Sequence, residues 1–424
     1  MNKGKFRGIL SLLLVMSIFL IGCTKENNAE KVYKNQTTNI QNESEELEPS
    51  EEKDNNKDTE VTKAKDDSKD DIKTSYDNVG LLLGLSKSDE TSKFLAQYKT
   101  IWISSIDGKL SYNLKNDMVL VPHGNDFYKI KNYNFIMDKL GDWSEKNKSE
   151  YGLYDYEYKF NYNTIGVNKI NEKEVPLYTK ESMEKQLSSI DWPIGEINEK
   201  VTYVGNEYIS VIGDSFETGG GTYNSGHYYV KFYKISDFNK QKNPKKLADS
   251  VISEKDKQIG DYNKKFNKIL NEAKTDDGGI FYLENQKVDW DNIIIGRDNG
   301  YWIAQVPVIT ESEHHGNGSN FSYPREFLSL NNELPENIEA NDSLSIELSK
   351  IKEVIPKATD AVSSRNGELL AVITNNQVLV FSNNKDLTKP DLTIDIADGE
   401  SIVSQQWSYK KYVSNWNDII SKAK

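Results

Sequence analysis

Short runs of apolar and polar residues alternate along most of the chain after residue 98, and turn residues separate the runs. The runs are rich in aromatic and β-branched residues, a composition and a period that favour β-strands. Asp107-Gly108 and Asn299-Gly300 each stand between two such runs, and both dipeptides are typical of tight β-hairpins. These patterns predict a fold that is mainly β with a few helices.

The end of the chain has the most regular version of this pattern. Short strands, each closed by a turn, are predicted at residues 361–364, 369–373, 378–381, 392–396 and 402–407. Consecutive short strands of this kind form antiparallel meanders, and meanders of this size build propeller blades. The prediction is therefore a β-propeller-like fold, with an α+β arrangement as the alternative. The last strands are expected to meet an N-terminal sheet near Trp102.

Three stretches are predicted to be helical: residues 80–90 with Ser86 as a cap, residues 180–190, and residues 254–274. The third has apolar residues at the 3-4 spacing of an amphipathic helix. Between predicted strands, residues 214–227 contain Gly219-Gly220-Gly221. No Gly-Lys-Ser/Thr follows these glycines, so the stretch is interpreted as a flexible hairpin loop and not as a phosphate loop.

An aromatic ladder runs through the middle of the chain. Its rings fall two residues apart, at Tyr154, Tyr156, Tyr158, Phe160 and Tyr162. A period of two places all five on one face of a strand. Such a face either stacks sugar rings or packs under a neighbouring sheet.

The N-terminus has the order of a secretory signal. Lys3, Lys5 and Arg7 form a basic region, and an uncharged apolar run of 13 residues follows from Ile9 to Ile21. That run is shorter than the roughly 20 residues of a membrane-spanning helix, so we do not interpret it as a permanent span.

Leu20-Ile21-Gly22-Cys23 resembles the lipobox of bacterial lipoproteins. The resemblance implies cleavage after Gly22, lipidation of Cys23, and a mature protein held by this lipid anchor at the extracellular side of the cell membrane. Cys23 is the only cysteine of the chain. The folded part therefore depends on packing without internal disulfides, and thiol chemistry is excluded from any site.

Composition divides the chain into three parts: a signal peptide at residues 1–23, an acidic tether at residues 24–77, and a β-rich extracytoplasmic domain at residues 78–424. The tether holds 16 Asp or Glu and 9 Lys, and it lacks an apolar period, so we expect it to be disordered. The whole chain carries a net charge of −13. A basic footprint for nucleic acid is absent, and nucleic acid is not predicted as a partner.

The domain as a whole resembles a group of lipoproteins of clostridia and related Gram-positive bacteria. The resembling stretches are residues 100–103, 201–205 with 219–221, 296–302, 355–362, and 401–407 with 413–416. The resemblance implies an envelope location and a β-rich fold. The group has no assigned activity, so no catalytic residue is carried over.

Candidate chemistry is sparse. His314 and His315 stand among acidic residues in a polar, glycine-rich stretch and are weak candidates for a metal site, which imidazole would suit for zinc, copper or nickel. The stretch lacks the ordered four-ligand set of a structural zinc site, so no metal or other cofactor is predicted. His123 and His227 are interpreted as turn residues. Carboxylates that could pair in space are Glu217, Asp289, Asp291, Asp298 and Asp360, and no catalytic residue is assigned among them.

Three functional hypotheses follow. The first is a non-catalytic module that binds or scaffolds at the cell envelope, with an envelope protein or a glycan as partner. The alternative is a cell-wall-directed hydrolase, which requires a deep cleft with paired carboxylates or a His/carboxylate cluster of perturbed pKa. The third is a transporter substrate-binding lipoprotein, which requires two α/β lobes.

Overall fold

The computed structural model describes residues 78–89, 94–137, 160–174, 179, 181–182, 194–219, 223–240, 245, 247, 251, 272–275, 281–314, 320–339, 342–383 and 386–423. All of them belong to one compact unit, residues 72–424. Cys23 and the predicted tether up to Asp77 lie outside the described residues, so the anchor and the tether stay predictions.

Strands dominate the described residues, and the prediction of a mainly β fold with few helices is confirmed. The strands are β1 (Val79–Ser88), β2 (Ala96–Ile106), β3 (Lys109–Asn116), β4 (Val119–His123), β5 (Asp126–Met137), β6 (Phe160–Lys169), β7 (Ile194–Val204), β8 (Tyr208–Gly219), β9 (Tyr223–Lys234), β10 (Glu272–Thr275), β11 (Phe281–Val288), β12 (Ile294–Asp298), β13 (Tyr301–His314), β14 (Asn320–Glu333), β15 (Ala358–Ser363), β16 (Leu369–Thr374), β17 (Gln377–Ser382), β18 (Leu392–Asp395) and β19 (Ser401–Tyr409). The helices described over their whole length are a 3-10 helix (Ile235–Lys240), α1 (Leu348–Val354) and α2 (Lys411–Lys422).

The strands form two sheets. Fifteen strands join in one large, mixed sheet whose main path runs β10-β11-β13-β14-β9-β8-β7-β19-β1-β2-β3, and β15 to β18 form a separate antiparallel sheet of four. The four-stranded sheet confirms the predicted C-terminal meander. The predicted strand 402–407 does not join it: as β19 it pairs antiparallel with β1, whose other neighbour β2 carries Trp102. The expected meeting of the last strand with the N-terminal strands near Trp102 is thus observed, while closure of blades into a ring stays a prediction.

The helix predicted at residues 80–90 is wrong, because most of these residues form strand β1. Leu81, Leu82, Leu83 and Leu85 are all completely buried. Leu81, Leu83 and Leu85 pack into the largest core cluster, whereas Leu82 packs with Trp102 in another. A strand between two others and covered on both faces is apolar at every position, which makes its sequence resemble a buried helix.

Trp102 explains why β1 contains a glycine at its start. A Cβ on Gly80 would lie 2.1 Å from the Cη2 atom of Trp102, so the indole ring occupies the space of the missing side chain. On its other side the ring contacts Trp416 of α2, with centroids 5.8 Å apart. The Trp102 indole N–H donates to Asn417 Oδ1 at 3.2 Å. The C-terminal helix is therefore held on the sheet by aromatic packing.

The prediction of a loop at residues 214–227 is wrong for most of these residues. β8 and β9 continue as paired strands as far as Gly219 and Tyr223. Gly226 is not a turn residue, because a Cβ there would lie 1.9 Å from the Tyr323 hydroxyl oxygen; the glycine makes room for a ring. His227, predicted in a turn, is an exposed strand residue.

The remaining local predictions fall mostly outside the described residues. Residues 254–271 lie outside them, and the last three residues predicted in that helix are part of strand β10. Of residues 180–190, only 181–182 are described, and they are helical. Of the aromatic ladder, the side chain of Tyr162 alone is described; it is completely buried and stacks on Phe135 at 4.9 Å. Phe135 is the residue paired with Tyr162 on the adjacent strand β5, so the burial of Tyr162 includes a cross-strand contact within one sheet, and packing under a neighbouring sheet stays a prediction.

We expect Trp416→Ala to lower the free energy of unfolding by about 3 kcal/mol, the low end for aromatic truncations because Trp416 is only partly buried. Urea denaturation followed by circular dichroism measures this. Tyr412→Ala, on the same helix at 57% exposure, is the control and should change stability by less than about 0.5 kcal/mol. Equal losses in the two variants would show that α2 is not anchored through Trp416.

Candidate functional site

A cavity of about 720 Å³ opens beside the β12–β13 hairpin. We call it the acidic cleft, because the described residues that line it include four carboxylates and no lysine or arginine. Its polar and aromatic lining residues are Asp298, Asn299, Tyr301, Trp302, Ser329, Glu336, Glu339, Asp342 and Ser343, and its apolar ones are Ile303, Leu330 and Leu334. Such a cleft concentrates negative potential and attracts cations.

Local structure explains how these side chains are brought together. Asn299 and Gly300 have φ values of 51° and 90°, so the predicted Asn-Gly turn reverses the chain between β12 and β13 and places Asp298 and Tyr301 at the mouth. β14 supplies Ser329, whose hydroxyl donates to Asp298 Oδ2 at 2.9 Å. The stretch 334–343, which links β14 to α1, supplies the other three carboxylates.

Asp342 is the most perturbed acid of the cleft. Burial raises the pKa of its carboxyl to about 7, against the opposing effects of Arg297 and of the Trp302 backbone N–H, while Glu339 and Asp360 add to the rise. The carboxylate accepts the Trp302 backbone N–H and lies 3.4 Å from the side-chain nitrogen of Gln405. Its side chain is 19% exposed. A carboxyl of this kind exchanges its proton near neutral pH and stays reachable from the cavity.

Glu339 is fixed by a buried tyrosine. The Tyr203 hydroxyl lies 2.6 Å from the Ile338 carbonyl oxygen and 3.1 Å from Glu339 Oε2. Burial, followed by the charge of Glu339, raises the pKa of this phenol well above its usual value. Tyr203 therefore stays protonated, and its single O–H proton is shared between the Ile338 carbonyl oxygen and the Glu339 carboxylate.

Arg297 forms the wall behind the acids. Its Nε and Nη2 atoms donate to the two carboxylate oxygens of Asp360 at 2.6 and 2.9 Å, the bidentate geometry of a strong ion pair. Nη2 also lies 2.7 Å from the Gly300 carbonyl and 2.9 Å from the Ala361 carbonyl. Nη1 lies 3.9 Å from Asp342 Oδ1. The guanidinium, whose side chain is 7% exposed, thus joins β12, β15 and the cleft.

Trp302 carries a buried donor beside the cleft. The indole is 2% exposed and packs edge-on against Tyr203 at 4.9 Å, with the Arg297 guanidinium 4.8 Å from its ring centre. Within the described part of the chain its indole N–H has no hydrogen-bond partner. A buried donor without a partner costs free energy.

The residues singled out from the sequence are dispersed. Asp298 lines the acidic cleft and Asp360 holds Arg297, so two of the five candidate carboxylates belong to this region. Asp289 instead accepts the Tyr228 hydroxyl, the Asn292 amide and the Asp291 backbone N–H, which shape a turn. Glu217 belongs to β8, and its side chain is outside the description.

The histidines do not form a site in the described residues. His123 ends β4 beside a turn, as predicted, and its Nδ1 atom lies 2.7 Å from the Asn206 carbonyl oxygen. His314 is the last residue of β13 and pairs with Tyr282, while His315 lies outside the described residues. The described residues contain no group of three or more His, Cys, Asp or Glu placed to hold a metal ion.

Three acids of the cleft, Glu336, Glu339 and Asp342, were missed in the sequence. They lie in a polar linker where acidic residues usually face solvent. The available signal was their density directly after a long apolar strand and directly before a helix, together with Pro335.

Comparisons with known proteins give no family. No protein-family model matches the sequence, and none of the curated proteins matches it significantly. Among the described residues, no helix has the length and apolar character needed to cross a membrane.

We expect Arg297→Met to lower the free energy of unfolding by about 3 kcal/mol or more, because it leaves the half-buried Asp360 carboxylate without its partner. The matched control is Lys287→Met. Lys287 pairs with Glu311 at a similar distance, 2.7 Å, but its side chain is 56% exposed, so its loss should cost less than about 1 kcal/mol. Urea unfolding of both variants decides; a loss in Arg297→Met no larger than the control's contradicts the role given to Arg297.

Proposed function

We propose that this chain is a membrane-anchored extracytoplasmic lipoprotein that binds an amine-bearing glycan of the cell envelope in the acidic cleft, without catalysis. The single observation that carries the ligand class is the lining of the cleft, whose described residues include four carboxylates, two aromatic residues and no lysine or arginine. The lipobox-like residues 20–23 support the location.

The chemistry of the cleft favours a protonated amine attached to a sugar ring. Carboxylates such as Asp298, Glu336 and Asp342 complement an ammonium group. Tyr301 is 37% exposed at the mouth, and an exposed ring can stack on the apolar face of a sugar.

Binding should be linked to the protonation of Asp342. Its pKa of about 7 means that the carboxyl is largely protonated below neutral pH in the free protein, and an ammonium ion favours the ionised form. The groups that face it are Arg297, which opposes protonation, and Glu339 and Asp360, which promote it. Ligand binding at acidic pH therefore releases up to one proton.

The test is isothermal titration calorimetry with glucosamine oligomers, and with N-acetylglucosamine oligomers as the uncharged match. We expect binding of the first only, with an affinity that rises up to tenfold per pH unit between about pH 5 and 6.5. Asp342→Asn keeps an acceptor for the Trp302 N–H but should weaken binding about tenfold or more and remove the pH slope. Glu353→Gln, an exposed carboxylate on α1, is the control and should behave as the unmodified protein.

Equal affinity for both oligomers, or an unchanged affinity in Asp342→Asn, contradicts the proposal. Preference for lysine-rich peptides over any glycan would leave the acidic cleft as the binding site but would show that its ligand is a peptide and not a glycan.

A hydrolase acting on wall glycans or peptides is the second candidate. The observation that favours it is the Asp342 carboxyl, whose pKa near 7 in a carboxylate-lined cleft suits a general acid. It predicts that the same oligomers or purified wall fragments are cleaved and that Asp342→Asn abolishes cleavage, whereas binding without products supports the leading proposal. The transporter hypothesis gains no support, because its two α/β lobes are not seen among the described residues.

The anchor has its own test. We expect Cys23→Ala to move the protein from the detergent phase to the aqueous phase or to leave it unprocessed, because two acyl chains are needed for stable attachment. Ser44→Ala, in the predicted tether, is the control and should stay in the detergent phase. Detergent-phase partitioning of Cys23→Ala without incorporation of a lipid label would contradict the lipoprotein proposal and leave the ligand proposal untouched.

A further inference from the structure

A second cavity, of about 620 Å³, lies between the large sheet and the four-stranded sheet. β7, β12 and β14 contribute residues from the large sheet, and β15 and β16 contribute residues from the small one. Arg297 is part of its lining, while the acid it approaches, Asp342, lines the acidic cleft. The two cavities are thus neighbours, because Arg297 of the second lies 3.9 Å from Asp342 of the first.

The charges of this second cavity are opposite to those of the first. Lys200, Arg297 and Arg325 line it, together with Asp360 and Glu400. The two carboxylates are already neutralised. Asp360 is held by Arg297 in the bidentate pair, and Glu400 accepts from the Lys99 ammonium, at 2.8 Å to Oε1 and 3.2 Å to Oε2. Among the described residues, the other two cations of the cavity, Lys200 and Arg325, have no carboxylate in an ion pair with them.

Lys200 is the better placed of the two. It is partly buried, and its ammonium lies 2.5 Å from the Ser88 hydroxyl. No described carboxylate is within ion-pair distance of it. The carboxylate next in sequence, Glu199, is completely buried and already accepts from Lys231 and from the Tyr229 hydroxyl. Desolvation lowers the pKa of Lys200, so this cation gains from any anion that enters the cavity.

Part of the cavity wall is apolar. Phe94, Ile212 and Ile294 belong to one buried cluster, against which Phe327 packs, and all four line the cavity. An apolar wall of this kind favours the binding of an apolar group and contributes little to the binding of an inorganic ion. A ligand that satisfies both features carries an oxyanion at one end and an apolar body at the other.

We propose that this cavity is a second binding site, specific for a small organic oxyanion, a carboxylate or a phosphate monoester, whose charged group pairs with Lys200 and Arg325 and whose apolar part packs on Phe94 and Phe327. The site is independent of the ligand proposed for the acidic cleft. In a protein with a net charge of −13, two cations in one cavity that lack a described carboxylate partner mark the place where an anion is admitted.

The test uses the full chain and four probes: phenylacetate, phenyl phosphate, the uncharged match phenethyl alcohol, and inorganic phosphate, all at constant ionic strength. Calorimetry should show saturable binding of phenylacetate or phenyl phosphate at least tenfold tighter than of phenethyl alcohol and inorganic phosphate. The tighter of the two aromatic anions identifies the oxyanion. Binding of phenethyl alcohol as tightly as of the anions, or no binding of any probe, overturns the proposal.

Variants locate the site. Lys200→Met and Arg325→Met should each weaken the preferred anion at least tenfold, and Arg365→Met, at an exposed arginine outside the cavity, should not. Arg325 is exposed, so its variant stays informative if Lys200→Met fails to fold. An unchanged affinity in Arg325→Met, or an equal loss in Arg365→Met, overturns the proposal. Asp342→Asn should leave anion binding intact, which separates this site from the acidic cleft.

Discussion

The Arg297 guanidinium is the interaction on which the described region around both cavities depends. A single buried cation is shared among a carboxylate of β15, the carbonyl oxygens of Gly300 and Ala361, and the side-chain oxygen of Gln405 on β19, 3.4 Å away. Burying a charge is tolerated only when its donors are satisfied in this way. The requirement fixes the turn at the end of β12, the first strand of the small sheet and the C-terminal strand relative to one another.

The Arg297 charge also affects the electrostatics of the two cavities differently. On the side of the acidic cleft it moderates the pKa of Asp342, which burial and the neighbouring acids would otherwise raise further. In the second cavity its charge is consumed by Asp360, so Lys200 and Arg325 determine the sign of the potential. Two adjacent cavities of opposite preference thus result from the way one arginine is neutralised.

The fold could be predicted from the sequence where the pattern is local. The Asp107-Gly108 and Asn299-Gly300 hairpins and the terminal meander are confirmed because turn chemistry and alternation act within a dozen residues. β1 was misread because a strand buried on both faces carries no alternation. The loop at residues 214–227 was misread because Gly226 serves a tyrosine ring that is almost a hundred residues away in the chain.

The acidic cleft could be predicted only in part. Asp298 and Asp360 were among the candidate carboxylates, but nothing in the sequence indicates that Asp360 faces Arg297 or that Asp342 accepts the Trp302 N–H. Those relations arise from the packing of two sheets, and so does the pKa of Asp342. The sequence also does not indicate that Lys200 lacks a described carboxylate partner, because this depends on how the strands pack.

The pairing of β1 with β19 has a consequence for how the domain comes into being. Strand β1 lies between β19 and β2 in the sheet. One of its two edges therefore has no hydrogen-bonding partner until about 300 further residues have been synthesised. Non-local pairing of this kind slows folding. The large sheet can therefore be completed through β1 only after the C-terminal residues have been synthesised, although hairpins such as β2–β3 and β8–β9 do not depend on them.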